Sequence, residues 1–349
     1  MEVLLMKRVA INGLGRIGRL VLRRYMEVSP SDIEIVALNK PSPPQEMAYF
    51  IKYDSVHGKA GFSVEAGKDC IILNGKEIPL FGDRDPSRLP WKDLGVDIVL
   101  ECTGHFTKRD KALAHCAAGA KRVLISAPSE DADLSVVLGV NEELYDPEKH
   151  QVISNASCTT NSLAPATRVL NDEFGIEYLM GTTIHAFTSS QKLVDVPKGG
   201  LRKNRAATLS IIPTTTGAAK AMIPLFPGLK GKMDMSAVRV PVADGSLTNI
   251  VVHLKKEVTV ESVNNALRKA AEGRLDGILE YSTEELVSSD IVGNPHSGII
   301  DSLSTKVVMG RTANILIWYD NEYAYASRLL ELAQLVAEKE PAFSSLSVR

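Results

Sequence analysis

The amino-terminal segment of the chain constrains the fold more than any other feature. An apolar stretch at 7–12 leads into a turn that carries Gly13, Gly15 and Gly18, and an amphipathic helical pattern follows. A second apolar stretch at 33–38 completes a β-α-β unit of about thirty residues. Glycines at these three positions let a pyrophosphate group approach the amino terminus of the helix. The segment therefore predicts a dinucleotide-binding unit.

The end of the second predicted strand departs from the usual pattern of such units. An acidic residue there commonly binds the adenosine ribose 2′-hydroxyl, but this chain has Asn39-Lys40-Pro41. A lysine about 4 Å from a 2′-phosphate would gain roughly 4 kcal/mol per charge at an effective dielectric constant of 20, before desolvation. Lys40 therefore permits NADP. The alternative is that Lys40 points into solvent and leaves the binding of NAD weaker.

A small polar turn around Cys158 is a candidate for nucleophilic chemistry. It follows the apolar pair Val152-Ile153 and precedes an apolar run that starts at Leu163, a pattern typical of a strand end followed by a helix start. Unpaired backbone N–H groups and the helix dipole favour a thiolate there, and a lowered thiol pKa is expected. The alternative is a small, inert core residue.

A histidine provides a partner for this thiol. His185 lies near the end of a predicted strand at 181–188. We expect it to stand as an imidazolium beside the thiolate and then to act as general base and acid. A satisfied structural histidine is the alternative.

Composition excludes several classes of function. With 349 residues, of which 44% are hydrophobic and 23% charged, the chain suits two domains. A net charge of −2 gives no reason to expect nucleic acid or a membrane surface as partner, and no apolar run approaches the length of a membrane span. Residues 1–6 lack the features of a secretory leader. Four cysteines without metal-ligand or disulfide spacing indicate a reducing cytoplasm.

The pattern of apolar stretches changes at Cys158. Before it, the sequence predicts strands at 7–12, 33–38, 98–100 and 123–125, a hairpin at 70–79 and a helix at 108–118. After it, longer strand segments suggest an antiparallel or mixed sheet packed on helices. These later elements are strands at 237–241, 247–258 and 306–318 and helices at 261–271 and 324–338.

Several ordered motifs resemble those of the phosphorylating glyceraldehyde-3-phosphate dehydrogenase family along nearly the whole chain. They lie at 12–19, 52–58, 101–104, 125–128, 154–161, 211–220, 239–241, 288–293 and 318–323. The resemblance implies an α/β fold with a Rossmann-type doubly wound parallel sheet domain plus an α+β catalytic domain with a mostly antiparallel sheet. The domains would span 1–157, with a carboxy-terminal helix at 321–349 returning to the first domain, and 158–320.

The resemblance also implies a reaction, the reversible oxidative phosphorylation of D-glyceraldehyde 3-phosphate with NAD or NADP. Cys158 would form a thiohemiacetal and then a thioester, and His185 would be the base. Inorganic phosphate would release 1,3-bisphosphoglycerate. The substrate phosphate would bind Thr188, Arg202 and Arg239, and inorganic phosphate would bind Ser157, Thr159, Thr216 and Gly217.

For the cofactor, the resemblance points to residues in both halves of the chain, and it implies a homotetramer with the basic loop at 192–205 at an interface. Lys40 stands in place of the usual aspartate, while Pro197 resembles NAD-using members. The implied cofactor contacts are Arg16, Ile17, Arg84, Thr103, Ser126, Asn321 and Tyr325.

Two alternatives remain open. Erythrose-4-phosphate dehydrogenase shares the cysteine, the histidine and the fold, although the segment 215–217 favours the triose phosphate. A redox-sensing or binding paralogue without turnover would be indicated by loss of Cys158, His185 or Arg239, and all three are present.

Overall fold

The computed structural model describes residues 6–197 and 200–340, and these form two compact units. One unit comprises the residues before 137, those at 143–155 and those after 325. The other comprises 137–142 and 156–325. The residues at 1–5 and 341–349, which belong to the predicted first domain, and those at 198–199, within the predicted interface loop, lie outside the described residues.

The first unit is organised around a large sheet. The described residues form a nine-stranded sheet in the order β10-β11-β9-β8-β1-β2-β7-β6-β5, and β3 pairs with β4 separately. The strands are β1 (Lys7–Asn12), β2 (Ile33–Asn39), β3 (Tyr53–Asp54), β4 (Gly58–Lys59), β5 (Val64–Ala66), β6 (Cys70–Leu73), β7 (Lys76–Phe81), β8 (Ile98–Glu101), β9 (Arg122–Ile125), β10 (Leu134–Ser135) and β11 (Val152–Ser154).

The pairing of these strands is parallel from β10 to β7 and antiparallel at β7-β6 and β6-β5. Three helices lie between these strands along the chain: α1 (Arg16–Val28), α2 (Pro44–Lys52) and α3 (Arg109–Ala117). Strands β2 and β8 are almost wholly buried and mostly apolar, and the last four residues of β1 are buried, as expected for parallel strands covered on both faces. The predicted parallel sheet, the hairpin at 70–79 and the helix at 108–118 are confirmed.

The second unit contains a mostly antiparallel sheet, as predicted. The described residues form seven strands in the order β13-β14-β12-β15-β18-β17-β16, with parallel pairing only at β12-β14 and β16-β17. The strands are β12 (Ile176–Ala186), β13 (Ile212–Thr215), β14 (Met233–Val240), β15 (Ser246–Leu254), β16 (Leu279–Ser282), β17 (Gly298–Val308) and β18 (Thr312–Tyr319).

Helices α4 (Cys158–Phe174) and α6 (Val260–Ala271) bury apolar faces in the core of this unit, and a short helix α5 (Ala218–Met222) lies near β14. The last helix, α7 (Tyr323–Lys339), covers the predicted span 324–338, and its residues after 325 belong to the first unit. Thr259 caps α6 by accepting a hydrogen bond from the backbone N–H of Ser262, which fixes where that helix begins.

Two strand predictions in the second unit are wrong. The stretch 306–318 is not one strand, because β17 ends at Val308 and β18 begins at Thr312. Met309 and Gly310 both have positive φ angles and form the turn between them. Gly310 is a usual turn residue, but the apolar residues on both sides of the turn continue the strand pattern and hide it. The predicted strand 247–258 is also too long, because β15 ends at Leu254.

Candidate active site

The thiol of Cys158 lies at the amino terminus of α4. Cys158 is the first residue of the helix, and Ser157 is its cap, with a side-chain oxygen that accepts from the backbone N–H of Thr160 at 3.1 Å. Ala156, just before the cap, has a φ of 53°, a conformation that costs energy in a residue with a side chain. The Tyr325 hydroxyl donates to the Ala156 carbonyl at 3.0 Å and so holds this strained turn.

His185 faces the thiol from the neighbouring strand. It is the second-last residue of β12, and its Nε2 lies 3.4 Å from Cys158 Sγ. Its Nδ1 lies 2.7 Å from the carbonyl oxygen of Ala186. In the parallel pairing of β12 and β14, His185 stands opposite Arg239. This register brings the guanidinium to 2.6 Å from Nδ1 and lets it donate to the Ala186 carbonyl at 2.8 Å.

The protonation states of the pair differ from the sequence-based expectation. Burial raises the pKa of the Cys158 thiol to about 11, although Arg239 acts in the opposite direction. Burial also lowers the pKa of His185 to about 4, and the charge of Arg239 lowers it further. Both shifts oppose the expected thiolate–imidazolium pair. A neutral thiol faces a neutral imidazole, because both charged forms lose more hydration than their neighbours restore.

Tyr319 connects the two elements that carry the pair. Its hydroxyl lies 3.0 Å from Thr159 Oγ1, in the first turn of α4, and 2.8 Å from Thr183 Oγ1, two residues before His185 on β12. Its ring packs edge-on against the ring of His185, with centroids 5.9 Å apart. This role of Tyr319 was not predicted, although Tyr319 lies within the motif at 318–323. The sequence offered two signals for this contact. They are the alternation of small or polar with apolar residues along the predicted strand 181–188 and the position of Thr159 next to Cys158.

A second missed group is a buried pair of carboxyl groups. Burial raises the pKa of Asp244 to about 9, and the nearby Asp320 and Glu322 raise it as well. Asp320 is satisfied by backbone N–H groups of Gly293, Glu322 and Tyr323. The negative charge of Asp244 also raises the pKa of Cys158. A neutral Asp244 therefore raises the pKa of the thiol less than a charged Asp244 would.

The described contacts do not bring together all of the residues that are predicted to bind phosphate. Arg239 contacts His185. Thr159 directs its hydroxyl to Tyr319 inside the core, and its phosphate role stays a prediction. The other five residues lie in four different places. Ser157 caps α4, Thr188 follows β12, Arg202 lies in an exposed loop, and Thr216 and Gly217 lie at the start of α5.

The amino-terminal glycine turn has the shape that a pyrophosphate requires. Gly13 has a φ of 97°, and a Cβ on it would lie 2.7 Å from the backbone nitrogen of Thr103. A Cβ on Gly18 would collide with the carbonyl oxygen of Gly13. By contrast, a Cβ on Gly15 would meet no atom within 4 Å, so open space lies where α1 begins. The site therefore fits a dinucleotide phosphate at the positive end of that helix.

The predicted pyrophosphate residue Arg16 is held by an acid in the same unit. Its guanidinium lies 2.5 Å from the Asp54 carboxylate. Burial raises the pKa of Asp54, but hydrogen bonds from the backbone of His57 and Val56 and from Arg16 outweigh this effect and lower the pKa to about 2. Ile17 is half-buried in the first turn of α1.

A cavity of about 470 Å³ opens beside the glycine turn, at the carboxyl ends of β1, β2 and β8. Lys40, Arg84 and Thr103 all line it. Within the described residues of this unit, neither Lys40 nor Arg84 has a carboxylate partner, and Asp83, which also lines the cavity, is paired with Arg88. Ligands of open parallel sheets bind at this end of the strands.

The remaining predicted cofactor residues lie at three strand or helix termini. Ser126 follows β9 in the first unit, and its backbone N–H donates to the carbonyl of Glu101 at 3.0 Å. Asn321 follows β18 in the second unit, and its side-chain oxygen accepts from Ser246 Oγ at 2.5 Å. This contact orients the Asn321 amide so that its NH₂ group is turned away from Ser246. Tyr325 contacts Ala156, as described above.

No helix among the described residues is long and apolar enough to cross a membrane.

Comparisons with known proteins agree in both halves of the chain. A family model described as glyceraldehyde 3-phosphate dehydrogenase, NAD binding domain, matches residues 7–109, and one described as the C-terminal domain of the same enzyme matches 157–321. Glyceraldehyde-3-phosphate dehydrogenase of Geobacillus stearothermophilus is 51% identical over 332 residues, covering 95% of this chain and 98% of the relative. Glyceraldehyde-3-phosphate dehydrogenase 2 of Bacillus subtilis is 49% identical over 332 residues, covering 95% and 97%. The Thermotoga maritima enzyme is 51% identical over 331 residues, covering 95% and 99%.

Proposed function

The chain belongs to the glyceraldehyde-3-phosphate dehydrogenase family, and we propose that it catalyses the reversible oxidation and phosphorylation of D-glyceraldehyde 3-phosphate to 1,3-bisphosphoglycerate. The observation that carries the proposal is the 3.4 Å contact between Cys158 Sγ and His185 Nε2 at the amino terminus of α4. Covalent oxidation of an aldehyde needs this combination of a thiol nucleophile and a base.

The first step forms a bond between Cys158 Sγ and the aldehyde carbon. Both groups are neutral before substrate binds, and Nδ1 of His185 carries the ring proton and donates it to the Ala186 carbonyl at 2.7 Å, so Nε2 can accept. The thiol proton moves to Nε2 as the sulfur attacks, and it passes on to the carbonyl oxygen. The product is a thiohemiacetal. When bound, NAD supplies the hydride acceptor. His185 takes the hydroxyl proton as the hydride leaves, and a thioester remains on Cys158.

The second half of the reaction transfers the acyl group to inorganic phosphate. A phosphate oxygen attacks the thioester carbon, the C–S bond breaks, and the sulfur regains a proton from His185. Arg239 stabilises negative charge beside the reacting atoms, since its guanidinium already reaches His185. We assign the substrate phosphate to Arg239, Thr188 and Arg202, and the attacking phosphate to Ser157, Thr159, Thr216 and Gly217.

Residues of the first unit would hold the cofactor. The turn at Gly13, Gly15 and Gly18, with Arg16, suits the pyrophosphate, and the 470 Å³ cavity suits the adenosine half. NAD is the cofactor that family membership supports, and we propose that NADP is accepted as well. Lys40 and Arg84 support this second part, because both line the cavity without a carboxylate partner among the described residues.

The remaining assignments concern the domains. We propose that 1–157 with 321–349 acts as the dinucleotide-binding domain and that 158–320 carries the chemistry. The match of the NAD-binding model to 7–109 supports the first assignment. The Cys158–His185 contact within one compact unit supports the second.

Assembly and location are proposed on surface features. Leu193, Leu201 and Leu209 are 74%, 95% and 83% exposed, and a homotetramer would cover such aliphatic side chains. Light scattering of the purified protein tests this expectation. All four cysteines are free, which supports a reducing cytoplasm.

The mechanism is tested with Cys158→Ser and His185→Asn in a rapid-quench assay of phosphate-dependent turnover. We expect Cys158→Ser to form no acyl-enzyme while still binding NAD, and His185→Asn to form it more slowly. Normal turnover by Cys158→Ser would refute the mechanism. Erythrose 4-phosphate serves as the competing substrate, and a higher kcat/KM with it would refute the substrate assignment. This rival and the non-catalytic alternative are not favoured, since the relatives bear the name of the triose phosphate enzyme.

A further inference from the structure

A buried chain of polar side chains lies beneath the adenosine cavity of the first unit. At its centre is Glu101, the last residue of β8, whose side chain is almost fully buried. Its Oε2 accepts from Asn12 Nδ2 at 2.5 Å and contacts His115 Nε2 at 3.0 Å. Its Oε1 accepts from the backbone N–H of Thr103 at 2.8 Å and from the Thr103 hydroxyl. Four donors therefore satisfy one carboxylate.

The proton positions in this chain follow from Trp91. An indole N–H only donates, and Trp91 Nε1 lies 2.9 Å from His115 Nδ1. His115 Nδ1 must therefore accept, so Nε2 carries the proton and donates to Glu101. Trp91 and His115 are both fully buried, and their ring planes are inclined by 29° with centroids 6.2 Å apart. The environment thus selects one tautomer of His115.

The same polarity continues to the rim of the cavity. Asn12 uses its NH₂ group on Glu101, so its oxygen is the acceptor for Asn39 Nδ2 at 2.6 Å. Asn39 also donates to the carbonyl of Asp83 at 2.8 Å and accepts from the Asp83 backbone N–H at 3.1 Å. Asn12 Nδ2 and His115 Nε2 lie 3.3 Å apart, and both donate to Glu101 Oε2. Reversing the amide of Asn12 or Asn39 would bring two donors or two acceptors together. The ends of β1, β2 and β8 are therefore fixed relative to one another.

Three of the linked residues line the cavity itself. Asn12, Asn39 and Thr103 form part of its wall, next to Lys40 and Arg84. We propose that Trp91, His115 and Glu101 are positioning residues for the adenosine half of the dinucleotide. They act without touching it, by holding Asn12, Asn39 and Thr103 in one hydrogen-bonded arrangement. This inference rests on the proposed function, because it assumes that the cavity takes a dinucleotide.

The test uses Trp91→Phe, which removes the indole donor and keeps an aromatic ring in the core. The dissociation constant for NAD, measured by isothermal titration calorimetry, should rise about fivefold to tenfold, as expected from the loss of one buried hydrogen bond. KM for NAD should rise with it, while kcat and KM for the aldehyde stay within about twofold. Nitrogen-15 NMR of His115 should report a protonated Nε2 in the wild type and a mixture of tautomers in the variant.

Val96→Ala is the matched control, since Val96 belongs to the same apolar cluster as Trp91 but not to the polar chain. It should lose stability and keep its affinity for NAD. Glu101→Gln, of nearly the same shape, replaces Trp91→Phe if that variant fails to fold, and should weaken NAD binding likewise. Wild-type affinity in the folded variant, or a protonated Nδ1 in wild-type His115, would overturn the inference. Failure of the wild type itself to bind NAD would instead refute the proposed function, and this inference with it.

Discussion

Removal of the Tyr319 hydroxyl should disturb the positions of Cys158 and His185 while both reacting groups stay in place. In Tyr319→Phe the ring that packs against His185 remains, but the links to Thr159 on α4 and Thr183 on β12 are lost. The nucleophile and the base are then held together only by the packing of their separate elements. We expect a lower kcat with little change in KM for any substrate.

The size of the effect follows from the two lost contacts. They measure 3.0 Å and 2.8 Å, and each should contribute about 1 kcal/mol, because the threonine hydroxyls left behind are buried. The free energy of unfolding should fall by about 2 kcal/mol, which lowers Tm by roughly 4–8 °C. If about 1.4 kcal/mol of alignment is lost in the transition state, kcat falls about tenfold.

Steady-state kinetics, a thermal melt and the rate of thiol alkylation by iodoacetamide measure these effects. Tyr145→Phe is the control, because its hydroxyl also has two partners, Arg122 at 3.2 Å and Glu340 at 3.1 Å, and lies in the first unit. It should lose similar stability and keep the wild-type kcat. Equal kcat values for the two variants would refute the positioning role of Tyr319.

Two further variants probe the cofactor site. Lys40→Asp should lower the ratio of kcat/KM for NADP to that for NAD at least tenfold, because a repulsive charge replaces an attractive one near the 2′-phosphate; an unchanged ratio would make Lys40 a bystander. Asp54→Asn should lower the free energy of unfolding, because the charged Asp54 with its lowered pKa contributes at most about 2 kcal/mol to it. That contribution is present above about pH 4 and lost as pH falls towards 2, so urea melts of the two proteins should converge at low pH and differ near neutrality.

Patterns that depend on neighbouring residues predicted the structure well. The β-α-β unit appears with β1, α1 and β2 at the expected positions, because glycines and apolar periodicity act locally. The turn at Met309-Gly310 was missed although Gly310 is a usual turn residue, because the apolar residues on both sides continue the strand pattern. The contact of Arg239 with His185 depends on the register of β12 against β14, which no local pattern encodes. Long-range pairing thus sets much of the candidate site.

The pKa of Cys158 shows how burial opposes the local prediction of a thiolate. A helix amino terminus stabilises a negative charge by about 0.3–1 kcal/mol at exposed positions and up to about 2 kcal/mol in partly buried ones. A rise of the thiol pKa from 9.0 to about 11 corresponds to roughly 2.7 kcal/mol in the opposite direction, and burial is its main cause. The sequence displays the start of the helix but not the extent of burial. Desolvation therefore outweighs the dipole.

His185→Asn distinguishes the neutral pair from a thiolate–imidazolium pair in the protein without substrate. If His185 is neutral, its replacement removes no charge, and the thiolate absorbance at 240 nm should still titrate with the pKa of Cys158 near 11. If an imidazolium stabilised the thiolate, the wild type would titrate near neutrality and the variant well above it. Cys158→Ser supplies the baseline. A large upward shift of the midpoint in His185→Asn would refute the neutral pair, and an unchanged midpoint would mean that the thiol is activated only as its proton moves to His185 during attack.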